Sequence, residues 1–413
     1  MRNLLFVHNN FPAQFKHVGP LLAREGRYAV AALHKRTDLP DQALGMRLHS
    51  YTPVGALSAG VHPWLTQVEN ALNHGEAATR RALELRQAGY EPDVIIGHHG
   101  WGEMMFLRDI WPRARVGLYC ELYYRHRDSS WDFDPEFQDR VNPAAVCKAR
   151  MLNIPFDISF EGAVAGLSPT RWQANTFPEP IRRRIDVVHD GIDTAQIRPN
   201  GSARLEVEGG VLTRENEVFT FVSRHLEPYR GLHIFMRALP ALLRKRPAAH
   251  VVIVGSEGKD GGYGPLPESG TWKEKFIAEV RPQMDDAQWA RVHFLGRIPY
   301  ERFVQVLQVS TVHAYLTYPF VVSWSLLEAM SAGAAIVASD TAPVREMVEH
   351  GRNGMLVDFF DSAALAETLA RLATAPLQRA RMGAAARQFV IDTYEVADCA
   401  RRQAEWIDRV AAA

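Results

Sequence analysis

The feature that most constrains this 413-residue chain is an alternation that occurs twice. Short, β-branched apolar runs give way to amphipathic stretches of helical period. In the first block Leu4–Val7, Ala29–Leu33, Val94–Ile96 and Val116–Tyr119 read as buried strands, with helical stretches such as 63–88 and 103–110 between them. Past residue 215 the pattern restarts with Val218–Val222, Val251–Val254, Val292–Leu295, Val312–Tyr315 and Ala334–Ala338. Helical candidates 232–244, 272–280, 300–307, 325–331 and 362–373 follow them. A strand without polar alternation must be covered on both faces, and helices between successive strands supply that cover. Each block therefore predicts a doubly wound parallel sheet of α/β class.

The boundaries follow from composition. Residues 1–196 form the first domain. Residues 197–217, with Pro199-Asn200-Gly201 and Gly209-Gly210, read as a linker, and 218–394 form the second domain. Residues 395–413 read as a helix returning to the first domain, because Val396, Ala400, Gln403, Ala404 and Ile407 recur near helical spacing.

Lys plus Arg (47) equal Asp plus Glu (47), so the chain lacks the charge signature of a nucleic-acid binder. A hydrophobic fraction of 47% excludes a disordered chain. Three cysteines are too few for a disulfide framework, and no Cys-x-x-Cys pair signals a metal site. No run approaches the roughly 20 apolar residues needed to cross a bilayer. These readings predict a cytoplasmic protein without a transmembrane segment, and leave a peripheral membrane contact open.

Ligands of doubly wound sheets bind outside the carboxyl ends of the strands. The richest such stretch runs from Tyr315 to Asp358. A strand is followed by Thr317-Tyr318-Pro319-Phe320 and then by the helix Ser325-Leu326-Leu327-Glu328-Ala329-Met330. A helix N-terminus offers free N–H groups to a phosphate, and Glu328, about one turn in, can accept hydrogen bonds from a ribose.

The run Leu-Leu-Glu-Ala-Met-Ser-Ala-Gly, followed by a strand, Ser-Asp and Glu346, resembles the donor-binding signature of retaining glycosyltransferases of family 4. These have the GT-B architecture, two Rossmann-like doubly wound domains facing a cleft. The resemblance implies an enzyme that moves a sugar from a nucleoside diphosphate sugar to an acceptor the sequence does not name. It implies no cofactor beyond that co-substrate and no metal. In that family the second Glu of a Glu-x7-Glu motif holds the ribose, which assigns Glu328. This chain departs at the first Glu: counting back gives Phe320, and aligning on Pro-Phe gives Tyr318. The sugar hydroxyls would then be met by backbone near Val322, Ser323 and Trp324, and the resemblance assigns Ser323, Trp324 and Ser325 to the donor.

Ser223-Arg224-His225-Leu226-Glu227-Pro228-Tyr229-Arg230-Gly231 resembles the family's Gly-Arg…Lys-Gly segment, so Arg224 and Arg230 are assigned to the donor diphosphate. Gly296-Arg297-Ile298 matches the segment whose backbone reads the base.

In the first domain the resemblance implies acceptor or sugar contacts from Asn9 and Asn10, from His98 and His99, and from Tyr123; in the second it implies one from Tyr318. Glu121 stands where many relatives carry a His facing the reacting centre, which makes Glu121 and His98 the catalytic candidates. Asp132-Phe133-Asp134 has the form of a metal-binding Asp-x-Asp, but Asp134 before Pro135 also suits a helix start, and a lid or acceptor loop is the preferred reading. The Gly/Pro-rich stretch 256–271 reads as a functional loop. Two rival readings share this fold: a non-hydrolysing sugar-nucleotide epimerase, and a catalytically silent binding subunit.

Overall fold

A computed structural model describes residues 1–137, 143–257 and 262–413. The chain divides into two units. The first comprises Met1–Arg127, Val141–Gly191 and Val396–Ala413; the second comprises Asp128–Arg140 and Ile192–Glu395.

The first unit is built on eight strands: β1 (Arg2–Val7), β2 (Tyr28–His34), β3 (Gln42–Ala43), β4 (Met46–Ser50), β5 (Val94–His98), β6 (Arg115–Tyr119), β7 (Ala165–Ser168) and β8 (Ile185–Val187). Their order is β3-β4-β2-β1-β5-β6-β7-β8, and every pair is parallel except the short β3 on β4. Leu4 and Phe6 face one apolar layer while Leu5 and Val7 face another, as a sheet covered on both sides requires.

The helix Val396–Ala412 belongs to this unit. Its Trp406, Ile407 and Val410 pack in the same cluster as Leu4, Phe6 and Ile96. Tyr28 Oη donates to Asp408 Oδ1 at 2.7 Å, which fixes the helix at its polar edge. A Cβ on Gly117 would lie 2.7 Å from Trp406 Cη2, so this strand position admits only glycine beneath the indole.

The second unit carries β9 (Arg204–Val207) and β10 (Gly210–Thr213), then β11 (Val218–His225), β12 (His250–Ser256), β13 (Val292–Gly296), β14 (Val312–Tyr315), β15 (Ala335–Ser339) and β16 (Met355–Val357). The last six form an all-parallel sheet in the order β13-β12-β11-β14-β15-β16. Residues 197–217 are therefore not a plain linker. Within them β9 and β10 pair as an antiparallel ribbon, and its buried Leu205 and Leu212 pack with Val218, Val252 and Val306.

The passages between the units run side by side. Ile192 N donates to Tyr394 O at 2.8 Å and bridges Glu395 in the second unit. In the first, Gly191 (φ 90°) approaches Val396 so closely that a Cβ would lie 2.6 Å from its Cα. Only glycine combines that left-handed backbone with that clearance.

Candidate functional site

In the six-stranded sheet the strand order reverses between β11 and β14, and ligands of such sheets bind at that reversal. The loops leaving these two strands hold most of the residues assigned to the donor. Arg224, near the end of β11, is exposed. Pro228–Arg230 form one 3-10 turn, and Gly231 (φ 71°) joins it to the helix Leu232–Lys245. A Cβ on Gly231 would lie 2.4 Å from Leu316 Cβ in the facing loop, so the two loops close on each other only with glycine there.

Arg230 is buried, and its Nη1 donates to Thr317 Oγ1 at 3.0 Å and to Val321 O at 2.9 Å. Its guanidinium also rests on the rings of Tyr263 (5.3 Å) and Phe320 (5.5 Å). Both hydrogen bonds use Nη1, so the fork keeps Nη2 and Nε for a second partner. The neighbouring Glu227 is buried and accepts from Tyr263 N at 2.8 Å and Gly264 N at 3.3 Å. Burial raises its carboxyl pKa more than these amides and Arg230 lower it.

After β14, Ser323 caps the helix Trp324–Ser331, its Oγ accepting from Ser325 N at 3.3 Å, and Gly333 (φ 76°) follows the helix end. Glu328 is buried one turn in. Its Oε1 accepts from Tyr300 Oη at 2.7 Å, and burial together with that carboxylate drives the Tyr300 phenol pKa far up. Tyr300 opens a helix just after Gly296 (φ 63°), exposed Arg297 and half-buried Ile298, so one hydrogen bond joins the candidate base and ribose segments.

The eight-stranded sheet reverses between β1 and β5. His8, at the end of β1, accepts from Asn10 N at 2.9 Å through Nδ1. Burial, then the proximity of His98, depresses its pKa to about 3 against the opposing bond from Gln14. His98, at the end of β5, accepts from Gly100 N at 3.0 Å through Nδ1, which assigns the proton of its neutral ring to Nε2. That Nε2 lies 3.5 Å from Glu121 Oε2 at the end of β6. Gln14 Nε2 donates to Glu121 Oε1 at 3.4 Å, and Gln173 Nε2 donates to Glu121 O at 2.8 Å. The result is a half-buried carboxylate reached by Gln14, with its backbone held by Gln173, beside a buried imidazole.

Two family models cover nearly the whole chain. The Glycosyl transferase family 4 group matches residues 26–197, and Glycosyl transferases group 1 matches residues 207–389. The chain belongs to the family 4, group 1 glycosyltransferases. It is accordingly an enzyme. A D-inositol 3-phosphate glycosyltransferase of Nocardia farcinica is 31% identical over 193 residues, 46% of this chain and 40% of that protein. Its counterpart in Corynebacterium efficiens is 26% identical over 377 residues, 88% of this chain and 82% of that protein. Several of these relatives are thus matched over less than half of their own length. Sucrose-phosphate synthase from Thermosynechococcus elongatus superposes with a TM-score of 0.76 at 16% identity, covering 100% of both chains. Anabaena HepE in complex with UDP-glucose gives 0.68 at 16% identity, covering 99% of this chain and 100% of that one. At such identities the likeness establishes the fold, which is GT-B.

Within this glycosyltransferase, the residues expected on the acceptor or sugar side differ in exposure. Tyr318 does not face a substrate: it is fully buried, and its Oη donates to Asp134 Oδ2 at 2.5 Å. His99 is buried too, its ring stacked on Phe156 at 4.0 Å, an aromatic core position rather than an acceptor contact. Asn9 is buried, its backbone O accepting from Lys35 N at 3.0 Å, whereas Asn10 is exposed. Tyr123 is half-buried and donates to Asp157 Oδ1 at 3.1 Å. Asp132 and Asp134 do not act together: Asp132 accepts the amides of Asp128 and Ser129, while Asp134 belongs to the buried network with Tyr318. Among the described residues no cluster of His, Cys, Asp or Glu is arranged to hold a metal, and no helix is long and apolar enough to cross a membrane. Of the loop 256–271, residues 258–261 lie outside the described residues.

Sequence reasoning missed Tyr300, Gln14 and a buried group in which Tyr51 Oη meets Glu103 Oε1 at 2.5 Å and His74 Nδ1 at 3.0 Å. The sequence pattern predicts a helix over 103–110, whereas the helix there is Leu107–Ile110.

Proposed function

We propose that this glycosyltransferase is a retaining enzyme of the cytoplasm that takes a nucleoside diphosphate sugar and glycosylates a sugar phosphate or inositol phosphate. The observation that carries the donor half is that Arg230 follows β11 and Glu328 lies in the helix that follows β14, the two strands between which the order reverses. Arg224 and the free side of the Arg230 fork would neutralise the diphosphate, whose charge grows as the glycosidic bond breaks. Glu328, which accepts from Tyr300, would hold the ribose, and the backbone of Gly296–Ile298 would meet the base. The solved relative with UDP-glucose makes uracil the first base to try. The acceptor class rests on the inositol 3-phosphate relatives. The buried thiol of Cys120, in no disulfide, fits a reducing compartment.

In the reaction the anomeric C–O bond to the diphosphate breaks and a bond to the acceptor oxygen forms on the same face of the sugar. The acceptor hydroxyl's proton passes to the departing phosphate oxygen, so no protein nucleophile is needed. Glu121 would stabilise positive charge developing on the sugar, with His98 fixing its carboxylate.

A thermal-shift panel of UDP, GDP, ADP and dTDP sugars tests the donor, followed by turnover with D-inositol 3-phosphate and with a hexose 6-phosphate. Stabilisation by one nucleotide and product only with a phosphorylated acceptor is the expected result. Conversion of the donor to an epimer without acceptor would favour the epimerase. Donor binding without turnover on any acceptor would favour the silent subunit, a reading for which Phe320 at the first-Glu position already argues.

A further inference from the structure

The two donor loops are braced by a segment whose sequence lies far away, in the first half of the chain. Residues 128–137 group with the second unit, and their side chains enter it in order. Phe133 packs on Tyr318, Phe359 and Phe360 at 5.0–5.1 Å. Phe137 packs on His233 and Trp272 at 5.1 and 5.0 Å. Glu136 receives both Nη atoms of Arg237 at 2.7 Å. Between them Asp134, 1% exposed, takes Tyr318 Oη at 2.5 Å, and His233 Nε2 lies 3.1 Å from the same oxygen.

The positions of those two partners matter. Tyr318 sits in the loop after β14, between the two groups that Arg230 grips, Thr317 and Val321. His233 sits in the first turn of the helix that follows Arg230 and Gly231. A single carboxylate therefore ties the loop that carries Arg230 to the loop that leads into the Ser323 cap. Burying a carboxylate and an imidazole is expensive unless each is well paired, and an apolar pair would pack as stably. What the polar pair adds is direction, because it fixes where each loop sits.

We infer that Asp134 is a positioning residue for donor binding. Through Tyr318 and His233 it holds the β11 and β14 loops at the separation that lets the Arg230 fork reach the β-phosphate. The inference rests on the donor site proposed above.

The test compares UDP with UMP, which lacks the phosphate that Arg230 is proposed to hold. Affinities of the full-length wild type, Asp134→Asn and Tyr318→Phe are measured by calorimetry at a temperature where circular dichroism shows all three folded. UDP binding should weaken by about tenfold in each variant, the scale of one charge-assisted hydrogen bond. UMP binding should stay within about threefold, and the double variant should lose no more than Asp134→Asn alone. A purely structural role would lower the melting temperature, or both affinities alike, and would leave the UDP-to-UMP ratio at its wild-type value; that result overturns the inference while leaving the donor site standing. A wild type that binds neither UDP nor any other nucleoside diphosphate overturns the donor site itself, and the inference with it. Should Asp134→Asn fail to fold, Tyr318→Phe, which deletes one oxygen and keeps the ring, decides alone.

Discussion

His98 Nε2 and Glu121 Oε2 stand 3.5 Å apart at the ends of two adjacent parallel strands, and Gln14 reaches the other oxygen of the same carboxylate. A carboxylate held by neighbours of fixed orientation is preorganised for a charge that appears only during reaction. Glu121→Gln keeps the shape and removes the charge. It should lower kcat about a hundredfold, the scale of a positioned electrostatic group, while nucleotide affinity stays within about twofold. An unchanged kcat would make Glu121 only a partner for Gln14 and His98.

Arg224 and Arg230 should separate by their second effect. Each Arg→Ala removes charge-assisted contacts worth about 1.5–3 kcal/mol, so nucleoside diphosphate affinity should fall roughly ten- to a hundredfold in both. Arg230 also spans Thr317 and Val321, whereas Arg224 is exposed, so only Arg230→Ala should lower the melting temperature as well. Calorimetry beside a thermal melt reads both, and unaltered affinity in both variants would remove the clamp.

Metal independence is expected of this site, because arginines and a helix N-terminus supply the positive charge at the diphosphate. Activity should survive EDTA. Loss of turnover that Mn²⁺ or Mg²⁺ restores would show that a divalent ion shares the work.

His189 and His313 are buried, and burial depresses both to about 3, far below the ordinary 6.5. The unfolded chain takes up protons near 6.5 while the native one does not, so their contribution to stability is complete above that pH. It should be lost progressively as pH falls from about 6.5 towards 3, with a slope approaching about 1.4 kcal/mol per pH unit for each group. Denaturant unfolding at pH 7.5, 6, 5 and 4 measures it, and a flat profile from 7 to 5 would contradict the burial of these rings.

Trp406→Ala should cost about 3–5 kcal/mol, the range for removing a large buried aromatic, because the indole fills the space above Gly117. Urea unfolding should show it as a lower midpoint. A change below about 1 kcal/mol would mean the helix contributes little to the first unit.

What the sequence made legible follows from distance along the chain. Runs such as Val251–Val254 announce themselves because a parallel strand is apolar on both faces. Glu328 and Arg230 could be named because each sits in a local motif beside its strand. The hairpin β9–β10 stayed hidden because its strands are four residues each, and the inward Leu205, Val207 and Leu212 are too few to set an alternating pattern. Tyr318 looked like a ligand contact because its partner Asp134 lies 184 residues away, and no local period records that pairing. Tyr51, His74 and Glu103 were silent for the same reason.

The interleaving of the units has a practical meaning for anyone recombining such enzymes. Residues 128–140 serve the half that otherwise begins at Ile192, and residues 396–413 serve the half that otherwise ends at Gly191. A chimera joined by one cut near residue 191 would give each half a brace or a tail grown for another parent. Exchanging donor preference between relatives therefore calls for four junctions rather than one, with Asp134 and Tyr318 inherited together.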